Sequence, residues 1–220
     1  MKDLLRAYAS RRYAVLFYSL LITLGATPLL AALRIDGEPM EFLLALTLLT
    51  GGLGVDAGWR RRVLLILTVV ALLIHFGSAQ IAPDVRPGVL GFWAAIAFLN
   101  AAFALRFSMR PARVDSEHIF AALSAYLLGG IFFGVLYHAV EHAWPGSFAA
   151  SGASGGLSLY DGIYLSFVTL ATLGYGDVVP VSEVARGLAI IEAVAGQLFL
   201  AVMVARLVGS YVQFADRRER

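Results

Sequence analysis

The side chains of this 220-residue chain that could carry chemistry fall in three places. His138-Ala139-Val140-Glu141-His142 has the spacing H-x-x-E-H. On a helix that spacing puts two histidines on one face to hold zinc, with the acid as the general base of a membrane hydrolase. Against that chemistry, a third ligand has to come from afar, and Glu183, Glu192 and Glu219 are the only glutamates downstream. Glu192 is the second place, a carboxylate inside an otherwise apolar run, where an ionisable group is functional by default. The third is Thr172-Leu173-Gly174-Tyr175-Gly176-Asp177, directly after the short apolar run Leu159 to Ala171. As a helix, that run ends in the partial negative charge of its dipole, which favours a cation.

What must position these groups follows from composition. The chain is 60% hydrophobic and 15% charged, with mean hydropathy +0.79 and no cysteine. Soluble domains carry about 25% charged residues, so this chain lacks the polar surface to face water all round. Intrinsic disorder, a disulfide framework and a cysteine-based zinc or redox site are excluded. The net charge of +2 comes from basic residues at the ends of apolar runs rather than from a block, so no nucleic-acid partner is expected.

Crossing a hydrocarbon core takes about 20 apolar residues. No charge falls between Arg12 and Arg34, Arg62 and Asp84, Arg86 and Arg106, or Glu117 and Glu141. A weaker run, Phe42 to Val55, reaches the needed length if Glu41 and Asp56 lie at the interface, and its Gly51, Gly52 and Gly54 suit close helix packing. The last run, Arg186 to about Val212, is interrupted by Glu192 and Arg206 and calls for packing inside an assembly. With the N-terminus inside, the cytoplasmic segments hold 14 of the 17 basic residues, leaving Arg34, Arg86 and Arg186 outside. The positive-inside rule therefore favours six spans with both termini cytoplasmic, in a cell or inner membrane. The first span reads as retained rather than as a cleaved leader.

Between the fifth and sixth spans, Ala143 to Gly156 is rich in small residues and reads as a flexible extracellular turret. Ser158 and Asp161 then have capping-box spacing at the start of the run Leu159 to Ala171, about 20 Å long as a helix. That is too short to cross, so the segment re-enters, which a membrane tolerates only inside protein or beside a water-filled cavity.

The run Thr172 to Asp177, in this context, resembles the selectivity filter of the potassium-channel pore family, and the likeness extends from Glu117 to Tyr211. The resemblance implies that backbone oxygens of Thr172, Leu173, Gly174, Tyr175 and Gly176 replace the water shell of K⁺, with the ion held at Thr172, Leu173, Gly174 and Tyr175. Gly174 and Gly176 permit the alternating backbone that such a column needs. Thr172 adds a hydroxyl below, Tyr175 faces outward to brace the filter, and Asp177 stands at the outer mouth. The family's paired pore-helix tryptophans are here Tyr164 and Leu165, so one aromatic brace is missing. Val168 stands where some members carry a glutamate that couples to the filter aspartate.

Family inner helices also carry a glycine about twenty residues past the filter, which falls on Gly196. Taking Gly196 and Gln197 as pore-facing, Leu200 and Val204 follow on the same face and line the lower cavity. Glu192 lies about 140° away around the helix and points behind the pore, toward the pore helix or fifth span. Channel families commonly place a carboxylate like Glu141 where it ties the outer helix to the filter's outer loop. His138 and His142 then become interfacial residues that could sense external pH.

A voltage sensor needs Arg or Lys at every third residue of the fourth span, and Gly88 to Leu105 has none. The expected architecture is therefore an all-α integral membrane protein with six transmembrane helices, a re-entrant pore helix and a filter, assembled as a homotetramer. A four-helix scaffold, residues 1–114, resembles a charge-depleted sensor domain. The pore domain spans 115–213: outer helix 117–142, turret 143–158, pore helix 159–171, filter 172–177 and inner helix 183–213. A short cytoplasmic tail, 214–220, leaves no room for a ligand-binding domain. The expected function is passive K⁺ conduction with no enzyme activity, cofactor, nucleic acid or small-molecule substrate, and with membrane lipids and further copies as partners. A non-selective cation pore, or the pore subunit of a larger transport complex, is the alternative.

Overall fold

The computed structural model describes residues 11–32, 39–54, 58–78, 86–110, 115–150 and 156–216. Seven helices and two short strands make up the described residues: α1 (Arg12–Ala32), α2 (Pro39–Gly54), α3 (Trp59–Ser78), α4 (Arg86–Ser108), α5 (Ser116–Ala143), β1 (Phe148–Ala150), α6 (Leu159–Leu170), β2 (Val178–Pro180) and α7 (Glu183–Asp216). Among the described residues, three helical stretches are long and apolar enough to cross a membrane: Leu90–Ser108, Ser116–Ala143 and Glu183–Arg206. Arg12–Ala26, Leu43–Gly52 and Arg62–Ile74 are shorter apolar helices.

The four N-terminal helices meet the rest of the chain along α5, which packs on α1, α4, α6 and α7. Leu16, Leu20, Leu44, Leu48, Trp93 and Ile96 form the scaffold side of that core, and Leu128, Ile131 and Val135 the α5 side. Polar groups between helices are paired: Thr23 and Thr47 hydroxyls meet at 2.7 Å between α1 and α2. Gly51 does pack closely, since a Cβ there would lie 2.6 Å from Asn100 Oδ1 of α4. Gly54's surroundings lie outside the described residues, as does the side chain of His75 in α3.

Side chains meet backbone groups near two helix ends. Asp115 caps α5, accepting from His118 N at 3.0 Å. Just past the C-terminus of α4, Arg110 O accepts from Arg206 Nη2 at 2.7 Å, which ties α7 to that end of the scaffold.

Two expectations change. Part of the 143–158 segment is ordered as β1, paired antiparallel with β2 in the register Phe148↔Pro180, Ala149↔Val179, Ala150↔Val178. The chain is thus nearly, not wholly, helical. Three-residue strands are too short to show an alternating pattern, and Val178 and Val179 supply the β-branched partners. The inner helix also runs past 213 to Asp216, because Gln213, Phe214, Ala215 and Asp216 contain no Gly or Pro to stop it. Residues 217–220 of the tail, with residues 1–10 of the scaffold and 151–155 of the turret, lie outside the described residues.

Candidate functional site: a filter-like loop between α6 and α7

Helix α6 opens with a complete capping box. Asp161 N donates to Ser158 Oγ at 3.1 Å, and Ser158 N donates to Asp161 Oδ2 at 3.3 Å. At 12 residues the helix is about 18 Å long, too short to span. It crosses α5 through glycine. A Cβ on Gly134 would lie 2.5 Å from Ile163 Cα, one on Gly162 would lie 2.6 Å from Gly134 O, and one on Gly130 would lie 2.7 Å from the Phe167 ring. The sequence signal for this contact was Gly130-x-x-x-Gly134, a close-packing spacing in membrane helices.

At its C-terminus α6 feeds directly into the candidate filter. Thr172 N donates to Thr169 O at 3.0 Å and Leu173 N to Val168 O at 2.9 Å. Beyond these bonds the backbone alternates: Thr172 (φ 57), Gly174 (φ 56) and Gly176 (φ 79) are left-handed, and Leu173 and Tyr175 are not. Glycine at 174 and 176 adopts this conformation freely. Thr172 does so with a branched side chain, at a cost of about 1–2 kcal/mol. Residues 171–177 are all exposed in the single chain.

The loop is held at both flanks. Tyr164 of α6 donates its hydroxyl to Asp177 Oδ2 at 2.7 Å, and Asp177 Oδ1 accepts from Val178 N at 3.0 Å. The Tyr164 hydroxyl is the main reason the Asp177 carboxyl sits below the ordinary carboxylate range. Because the folded value is lowered, the stabilisation from this pair is present above the ordinary value of 3.8 and is lost as pH falls through the lowered one. Tyr164→Phe should therefore lower the melting temperature at neutral pH, shrink its fall on acidification, and move the acid limb of the current to higher pH, read from thermal melts and from current at stepped pH. An acid limb that stays in place would remove Tyr164 from this role.

Further out, Glu141 is buried at the end of α5. Its Oε1 accepts from Gly146 N at 2.9 Å and its Oε2 from Phe148 N at 3.1 Å. The link continues through β1 to β2, which follows the loop, and Val181 N donates to Ser147 O at 2.8 Å. Tyr137, Val140, Phe148, Leu165 and Val178 pack beneath this outer layer. Glu141→Ala should lower the melting temperature, since losing two amide bonds to a buried carboxylate costs about 2–3 kcal/mol. A melt within a degree or so of wild type would contradict that.

The two histidines do not complete a metal site. His138 Nδ1 donates to Leu157 O at 2.7 Å, the His138 and His142 rings are 6.1 Å apart between centroids, and both Glu141 oxygens already accept amides. Among the described residues no three His, Cys, Asp or Glu side chains gather as metal ligands.

On α7, Gly196 is buried against α6, where a Cβ would lie 2.5 Å from Leu170 Cδ2. The helix continues through it unbroken. Gln197, Leu200 and Val204 are exposed in the single chain, and Leu200 and Val204 border an apolar cleft of about 310 Å³ beside Leu123 and Tyr126 of α5. Glu192 is enclosed between α5 and α6, with Tyr137 and Ser166 as partners. Those two partners, and the Tyr164 bond to Asp177, were not foreseen from the sequence.

A capped non-spanning helix, an alternating loop and a long apolar helix after it form the pore module of an ion channel. Residues 122–213 match the family model described as "Ion channel". The chain is 35% identical over 103 residues to protein LctB of Bacillus caldotenax, covering 44% of this chain and 74% of that one. It is 36% identical over 81 residues to the inward rectifier potassium channel Kirbac3.1 of Paramagnetospirillum magnetotacticum, covering 35% and 24% respectively. It is also 37% identical over 103 residues to two pore potassium channel c of Oryza sativa subsp. japonica, covering 47% and 20%. The chain thus spans about a quarter of the length of the first of these two channels and a fifth of the second. No solved structure matches it. The chain belongs to the potassium-channel pore-domain family. It is a membrane protein of ion-channel type, not an enzyme, and the zinc-hydrolase reading of His138, Glu141 and His142 is set aside.

Proposed function

We propose that the chain forms a K⁺-selective pore that conducts passively as a homotetramer. The observation that carries this reading is the period-two left-handed backbone at Thr172, Gly174 and Gly176. Alternating handedness turns successive carbonyls of residues 172–176 toward one side, and carbonyls from several chains around one axis can replace the hydration shell of K⁺. One chain covers only one side of an ion, so the pore needs copies around a shared axis. Large apolar residues of α7, among them Ile190, Ile191, Val194, Leu198 and Val202, are exposed in the single chain and supply a surface for those copies and for lipid.

In this reading α1 to α4 each cross the membrane, giving six spans with both termini cytoplasmic in a cell or inner membrane. Residues 1–114 are the scaffold and 115–213 the pore domain. K⁺ enters past Val204, Leu200 and Gln197, is favoured by the C-terminal ends of the α6 helices, and sheds water at Thr172. It then passes sites formed by Leu173, Gly174, Tyr175 and Gly176 and leaves by Asp177. The uncharged α4 interior leaves that span without a voltage sensor, and no cofactor takes part. Ion uptake into proteoliposomes tests the proposal: Rb⁺ and K⁺ accumulation without Na⁺, from a particle with four times the 23.6 kDa chain mass, is expected. Equal Na⁺ uptake would instead favour a non-selective cation pore, with Leu165 in place of an aromatic brace as its cause.

A further inference from the structure

One buried polar cluster has no part in that conduction path. Glu192 of α7 is fully enclosed, and both its oxygens are engaged. Tyr137 of α5 donates its hydroxyl to Oε2, while Oε1 meets the Ser166 hydroxyl of α6. Ser166 Oγ also lies 2.7 Å from Gly130 O. A carbonyl only accepts, and a serine hydroxyl holds a single proton. That proton goes to Gly130 O, so the hydrogen between Ser166 and Glu192 has to come from Glu192. An ionised carboxylate would leave two oxygens in contact with no hydrogen between them, in a site where an unmet contact is costly.

Among the described residues no charge of opposite sign faces the group. From α5 the titratable residues beside it are Tyr137 and Tyr126, and α6 contributes Ser166. On α7 itself, no other charged residue lies between Arg186 and Arg206. Among the described residues no cation pairs with Glu192. One helical turn further along, Gly196 admits Leu170 of α6. Two residues past Ser166, the Val168 carbonyl takes the amide of Leu173 at 2.9 Å.

We infer that Glu192 is held as the neutral carboxylic acid and is a positioning residue for the filter. Its O–H donates to Ser166 Oγ, Ser166 donates to Gly130 O, and Tyr137 donates to the second carboxyl oxygen. The chain of donors runs across α5, α7 and α6 and fixes where the last turn of α6 delivers Thr172 and Leu173. The position of Ser166 between an obligate acceptor and a carboxyl carries this assignment, which rests on residues 172–177 being the filter.

The test pairs infrared spectroscopy with selectivity on full-length protein in lipid. The wild-type-minus-E192Q difference spectrum should contain a carboxylic-acid C=O band. E192Q offers Ser166 an N–H and Tyr137 an oxygen, so it should keep the K⁺/Na⁺ permeability ratio within about twofold of wild type. E192D, too short to reach both partners, should lower that ratio about tenfold or more. S166A should shift the same C=O band without removing it, which tests the assignment independently of how E192D folds. A carboxylate band in place of the acid band, an unmoved band in S166A, or an E192D ratio equal to wild type would overturn the inference. Failure of the filter reading shows elsewhere, as unchanged selectivity in G176D, and leaves the infrared result standing.

Discussion

Gly176→Asp is expected to turn a K⁺-selective conductance into one that passes Na⁺ about as readily as K⁺. Crowding within the chain is not the reason, because a Cβ at residue 176 would meet no heavy atom of the same chain within 4 Å. The backbone is, at φ 79. Residues with a Cβ pay about 1–2 kcal/mol to stay left-handed, and in an assembly every copy pays at the same height of the pore. The new carboxylate also stands beside Asp177, so like charges crowd the mouth, and the carbonyl column relaxes to geometries that no longer fit a dehydrated K⁺. Gly146→Ala is the control. It has φ 86, no heavy atom within 4 Å and a place in the outer loop, so it carries a similar backbone cost but should leave the permeability ratio unchanged. Reversal potentials of the two variants separate the effects, and an unaltered ratio in G176D would remove residues 172–177 from the selectivity mechanism.

The second large effect concerns the stability of the fold. Gly134→Ala should destabilise the fold by about 3 kcal/mol, at the upper end of what overpacking costs. Its Cβ would lie 2.5 Å from Ile163 Cα and 2.8 Å from Ile163 N, backbone atoms that cannot swing aside. The crossing of α5 and α6 would have to open, and the capping box and the loop beyond α6 would move with it. Gly129→Ala, five residues away on the same helix with no heavy atom within 4 Å, should be neutral or stabilise by up to about 1 kcal/mol. Thermal melts in detergent decide the matter. Equal melting temperatures for the two variants would show that the close crossing is not what fixes α6.

Much of this arrangement was legible in the residues. Ser158 and Asp161 announced the start of α6, the length of its apolar run announced that it does not span, and Gly174 with Gly176 announced a backbone that alternates. Thr172 shows the limit of reading conformation from residue type. A branched residue takes the left-handed position because Thr169 and Val168 accept its amide and the next one, and those bonds outweigh the local preference. The β1–β2 pair was hidden because three residues give no periodicity, and the turn by which the Glu141 carboxylate takes the Phe148 amide follows neither a helical nor a strand period. Helical spacing placed Glu192 behind the pore, but its partners Tyr137 and Ser166 depend on how three helices cross, which residue type and period do not specify. The Gly130 and Gly134 spacing was visible on α5, yet its meaning as the α6 crossing needed Gly162 from a segment 28 residues on.

The most direct test of the central claim is the reversal potential of the purified protein in a planar bilayer with K⁺ on one side and Na⁺ on the other. The account predicts a reversal far toward the K⁺ equilibrium potential, on a current that no voltage step switches on or off. A reversal near zero would mean that Na⁺ passes as K⁺ does, and would contradict selection by the carbonyls of residues 172–176.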